Sequence, residues 1–253
     1  MSAVWPRPHW QAGDGRSLLL WFVFGDFPRQ LPIDGAAWRT RGLPAGAEIG
    51  RYARRELERW PGYPLTGALG DLLREDDPAL AARAAGAPEG FVIRAELADA
   101  PDLDALRDGI GLVSALMAAG GVATVDPQLL TAFDADAWRA RFFARPDFDV
   151  RDHVLMLCDP EDTDGTRAPG RLHMHTRGLR KFARPDLSLR RVPAAARDAA
   201  GELLQRLAEW QALGGRFRAG QVVQAAGLEL TAVPGGRADD PVFNNVHVAF
   251  DWP

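Results

Sequence analysis

The chain has 253 residues, 47% of them apolar and 25% charged. That balance excludes collagen-like, disordered and membrane-bundle proteins, and the length can bury a core in one large or two small domains. The formal charge of −4 argues against polyanion binding by bulk charge, and the single cysteine, Cys158, excludes an intrachain disulfide or a cysteine-rich zinc knuckle.

The first strong signal is the apolar run Leu18 to Phe24, closed by Gly25-Asp26. It is too short to span a membrane and lacks the flanks of a secretion signal, so it reads as a buried strand of a soluble cytoplasmic protein. Residues 29–45 carry Pro32, Gly35, Gly42 and Pro44 and read as loop. From Glu48 to Trp60, Ile49, Tyr52, Ala53, Leu57 and Trp60 recur at helical spacing, which predicts a helix stopped by Pro61-Gly62. Short helices are expected over 65–73 and 78–85. The stretch Gly86-Ala87-Pro88-Glu89-Gly90 reads as a linker between a loop-rich N-terminal section, residues 1–88, and a main α+β domain, residues 89–253.

Beyond it the pattern sharpens. A strand over 91–97, a helix over 102–119 ended by Gly120-Gly121, and a strand over 122–125 form a β-α-β unit. A short helix is expected over 135–143 and a long one over 194–213. Strands are expected over 150–158, 171–176, 187–192, 221–233 and 242–252, the second and third joined at Gly178. The fold class is therefore α+β, a mixed or antiparallel sheet with packed helices. One echo suggests two related halves: Arg141 to Asp152 and Arg180 to Arg191 share seven of twelve positions, including Ala-Arg-Pro-Asp.

Charge is unevenly placed. Residues 171–197 carry a net +7, leaving −11 for the rest. Lys181 is the only lysine among 30 basic residues, which suggests a GC-rich bacterial genome. The run defines a candidate basic contact surface of Arg177, Arg180, Lys181, Arg184, Arg190 and Arg191, set against a solvated face paired with the acidic remainder. Only Phe182 interleaves with it, so nucleic acid is not the expected partner; an unknown protein or small anionic ligand is.

Catalytic signals are sparse. No Gly-x-Ser-x-Gly elbow, phosphate-binding loop or dinucleotide fingerprint is present, and Cys158 beside Asp159 is a poor nucleophile. Asp162-Thr163-Asp164-Gly165-Thr166 matches the nucleophile string of haloacid dehalogenase-like phosphatases, but the expected strand ends at Cys158 rather than directly before it. A solvated acidic turn accounts for the string. His173 and His175 are two apart on an expected strand, so both imidazoles share a face. With Asp186, His153 or His247 they make a candidate divalent-metal site, against the alternative of an ordinary polar strand face. Asn245 and His247 likewise share the non-core parity of the last strand.

The stretch His175 to Leu189, HTRGLRKFARPDLSL, resembles a turn motif of uncharacterised bacterial α+β proteins, in which a Thr-x-Gly turn and a later Pro-Asp join two strands. Ala183 stands where such motifs often carry glycine. The resemblance implies fold and origin, and transfers no catalytic residue. The expected function is a non-catalytic binding or interaction module without a cofactor. The alternative is a metal-dependent hydrolase using the His-x-His pair.

Overall fold

A computed structural model describes residues 4–31, 33–145, 148–163, 166–237, 239 and 244–253. The fold is α+β, with three mostly antiparallel sheets. The chain divides into two compact units that interleave in sequence: Met1–Trp5, Leu18–Leu97 and Asp102–Phe148 form the first, and Pro6–Ser17, Ala98–Pro101 and Asp149–Pro253 the second. The expected division at 86–90 is therefore displaced. That stretch links a helix to a strand inside the first unit, because both pack into the same core.

In the first unit, β1 (Arg16–Gly25) is followed by β2 (Ala47–Ala53), α1 (Arg54–Leu57), α2 (Gly67–Asp76) and α3 (Pro78–Gly86). Then come β3 (Glu89–Ala98), α4 (Asp104–Ala118), β4 (Gly121–Asp126), β5 (Thr131–Phe133) and α5 (Ala135–Trp138). The sheet order is β2-β3-β1-β4-β5. Phe22 and Phe24 of β1 pack with Leu57, Leu73 and Leu80 on one face. On the other, the Trp21 ring crosses Trp138 edge-on at 6.3 Å. Both faces are dry, which explains why Leu18 to Phe24 is continuously apolar rather than alternating.

Two expectations are corrected here. Glu48 to Ala53 is not helical: β2 pairs antiparallel with β3 from Ala47↔Ala95 to Ala53↔Glu89. Gly50 disfavours a helix by about 1 kcal/mol relative to alanine, and the open edge of β3 supplies a full ladder. The expected β-α-β unit does surround α4, but β1 lies between β3 and β4.

In the second unit, β6 (Leu155–Thr163), β7 (Thr166–Arg177), β8 (Asp186–Pro193), α6 (Arg197–Ala212), β9 (Val222–Ala225), β10 (Leu228–Thr231), β11 (Val233–Gly235) and β12 (His247–Asp251) follow in order. The main sheet runs β11-β12-β8-β7-β6, and β9 and β10 form a separate hairpin. β12 pairs parallel with β8, so a crossover between neighbouring parallel strands occurs here, through α6. Met174, Leu187, Leu189, Val248 and Phe250 make the apolar face of this sheet, and Leu203, Leu204 and Leu207 of α6 are buried with them. The expected strand at 150–158 starts later, since 150–152 forms a 3-10 turn capped by Asp149.

The two copies of the internal echo take different forms. Arg139–Phe143 is a π-helical turn, whereas Leu179–Phe182 is a 3-10 turn leading into β8. Pro146 and Asp147 of the first copy lie outside the described residues, as do Asp164 and Gly165 of the phosphatase-like string and the start of the expected strand at Val242. β6 and β7 pair as far as Thr163↔Thr166. Among the described residues no helix is long and apolar enough to cross a membrane.

Candidate functional site

The face of the second sheet opposite α6 carries its polar residues. Register places His175 beside Ser188, Ser188 beside Ala249, and Asp186 beside His247. Side chains on one strand face recur every second residue, so His173, His175, Asp186, Ser188 and His247 share this side. The His173 and His175 rings are 4.9 Å apart. His173 Nε2 lies 2.7 Å from Ser188 Oγ, the spacing of a base and a nucleophile. Ser188, however, is 0% exposed and His175 2%, so no substrate carbonyl reaches the hydroxyl. Burial also lowers the His173 pKa, which keeps the ring neutral.

Asp186 is the hub of a second cluster at the start of β8. Its carboxylate accepts from Thr176 Oγ1 at 2.9 Å, the Leu179 amide at 3.2 Å and Asn245 Nδ2 at 2.8 Å. The same Thr176 hydroxyl accepts from the Leu187 amide at 2.8 Å. Gly178, at φ +111, lets the chain turn within van der Waals reach of the His153 carbonyl, where a Cβ would lie 2.4 Å from that oxygen. One carboxylate thus ties the end of β7, the 3-10 turn, β8 and the approach to β12. Burial raises its pKa to about 6, against the opposing pull of Asn245, Thr176, the Leu179 amide and Arg177.

These bonds separate the members of the expected metal set. His153 lies off this face: its carbonyl is 3.5 Å from Lys181 Nζ and its ring meets Phe182 edge-on at 6.2 Å. Asp186 is committed to three donors. Among the described residues, no three His, Cys, Asp or Glu side chains converge on one point that would hold a cation. A cavity of about 210 Å³ does open in this unit, beside Val154, Met156 and Ala208, but it lies on the α6 side of the sheet.

The basic run is likewise divided. Lys181 and Arg184 are 2% exposed and are interior ties, not surface. Arg184 donates to the carbonyls of Gly215, Gly214, Gln11 and Ala183. Arg177 and Arg180 are half-buried, and Arg180 donates to the Asn244 carbonyl at 3.2 Å. Arg190, Arg191, Arg171 and Arg197 are exposed, and Arg171 pairs in register with Pro193 at the far end of β8. Arg171 donates to the Arg191 carbonyl at 2.9 Å, and Arg191 pairs with Asp251.

Sequence reading missed Ser188. The signal was there: a small polar residue alternating with two leucines in Leu187-Ser188-Leu189 marks the non-core face of a strand. No family model, curated protein or solved structure matches this chain.

Proposed function

We propose that the chain is a non-catalytic cytoplasmic binding module of bacterial origin, whose second unit meets an acidic protein surface or a small anion through Arg171, Arg190 and Arg191. The observation that carries this reading is the inward commitment of the chemistry-bearing residues. Asp186 holds three donors, and the Ser188 hydroxyl that bonds half-buried His173 is itself fully buried. The arginines at the β7–β8 corner, by contrast, face solvent. Exposed guanidiniums suit carboxylate and phosphate recognition by their planar fork of donors.

The test is a titration of the purified chain with inorganic phosphate, citrate and an acidic peptide, at two salt concentrations. The reading expects salt-sensitive binding of at least one probe, lost in Arg171→Glu/Arg190→Glu. The side-by-side histidine rings favour a second reading, a metal-dependent hydrolase with His173 and His175 as ligands. Chelator-sensitive hydrolysis of an ester or phosphoester, abolished by His173→Ala, would decide for it.

A further inference from the structure

The first unit contains a cavity of about 130 Å³, walled by Trp38, Met117, Trp138 and Phe143. That volume suits one six-membered ring, since an apolar cavity of about 150 Å³ holds benzene. The Trp38 and Phe143 rings stand 5.6 Å apart at 47°. Trp138 is fixed in place: its Nε1 donates to Ser114 Oγ at 3.0 Å, and that hydroxyl donates to the Ile110 carbonyl at 2.8 Å.

Two unusual backbone features meet at this wall. The π-helical turn Arg139–Phe143 supplies one side of it, and such turns are rare and concentrate at functional sites. Arg39 adopts φ +52, an uncommon conformation for a residue with a side chain. Its guanidinium lies 4.8 Å from the Phe143 ring centre and donates to the Phe143 carbonyl at 2.9 Å. At the cavity mouth stand Asp136 and Arg139, one charge of each sign, both exposed. Neither forms an ion pair among the described residues, although three positions apart in a helical turn they are neighbours.

We propose that this cavity binds a free single-ring aromatic α-amino acid. The ring lies in the cavity against Trp38, Trp138 and Phe143, the carboxylate meets Arg139 and the ammonium meets Asp136. A hydrocarbon leaves both charges unused, and a residue inside a peptide presents neither an ammonium nor a carboxylate. The site is separate from the arginine corner of the second unit and does not depend on it.

Calorimetric titration of the full chain with L-phenylalanine, L-leucine and N-acetyl-phenylalaninamide tests this. Saturable binding of phenylalanine, with the other two at least about tenfold weaker, is the expected result. Arg139→Gln and Asp136→Asn change exposed side chains and leave the core intact; each is expected to weaken binding about tenfold. Absence of saturation at millimolar phenylalanine, equal binding of leucine or the blocked derivative, or unchanged affinity in both variants would overturn the proposal.

Discussion

Arg7 and Asp99 stand 92 positions apart, yet Arg7 Nη1 donates to the Asp99 carboxylate at 2.7 Å. Arg184 Nη1 lies 2.9 Å from the other carboxylate oxygen. All three side chains are essentially sealed from water. Arg7 spends further donors on the carbonyls of Ala212, Ala100 and Phe182. The three residues come from the three separate stretches of the second unit, 6–17, 98–101 and 149–253. This triad is the physical reason that two short segments flanking much of the first unit in sequence belong to the second. Burial pulls the Arg184 guanidinium below its usual range, and Asp99 opposes that pull.

Removing the carboxylate should therefore be expensive. Asp99→Ala leaves two buried guanidiniums without a counter-charge, and the expected loss is about 3–5 kcal/mol. Asp99→Asn keeps one acceptor and should lose less. Urea denaturation of the three proteins measures this; a loss below about 1 kcal/mol for Asp99→Ala would mean that the main-chain carbonyls suffice.

Ala183 occupies the motif position where glycine is common, and it sits at φ +54 in the left-handed region. A Cβ there costs about 1–2 kcal/mol, partly offset by the buried methyl and by the greater unfolded freedom of glycine. Ala183→Gly is expected to stabilise the protein by about 0.5 kcal/mol. A thermal midpoint that falls instead would show that the methyl contact outweighs the strain.

How much of this was legible in the sequence differs by element. The run Leu18 to Phe24, the helix of α4 and the glycine turn at Gly178 were readable because local pattern and tertiary role agree. Glu48 to Ala53 was not, because its strand form depends on the open edge of β3, which no local window contains. The partnership of His173 with Ser188, and of Asp186 with Asn245, was hidden for the same reason: register between strands, not spacing within one, brings them together. The run of basic charge was visible, but the inward turn of Lys181 and Arg184 was not, since Arg184 meets main-chain carbonyls common to every sequence and a carboxylate, Asp99, far away in the chain.

Gly111 makes the helix α4 approach a loop more closely than any side chain allows. A Cβ there would lie 2.2 Å from the Trp38 carbonyl and 2.9 Å from Thr40 Cβ. Alanine normally gains about 1 kcal/mol over glycine inside a helix. Here Gly111→Ala should instead destabilise by about 1–3 kcal/mol, because a backbone carbonyl has to move. It should also weaken aromatic amino acid binding, since Trp38 walls the cavity. Thermal melts and the same titration read both effects, and a stabilised variant would show that the loop yields freely.

Asp186 gives the protein a stability slope of unusual sign. Its pKa rises from 3.8 to about 6 in the folded chain, with burial the leading cause. The native state then holds this proton more tightly than the unfolded state does. The contribution is complete below about pH 4 and is lost as pH rises through 6, to a total of about 3 kcal/mol. His173 works in the opposite direction: burial lowers its pKa, so its contribution is lost as pH falls below its ordinary value of 6.5. Arg177 and the register neighbour His247 are charged or titratable groups beside Asp186. Asp186→Asn sets an amide against Asn245 Nδ2 and lowers absolute stability, so the informative quantity is the slope. Denaturation at several pH values from 4 to 7 should show the native protein losing more stability with rising pH than the variant does. Parallel curves would mean that Asp186 titrates as an ordinary carboxylate and that its three donors fully offset its burial.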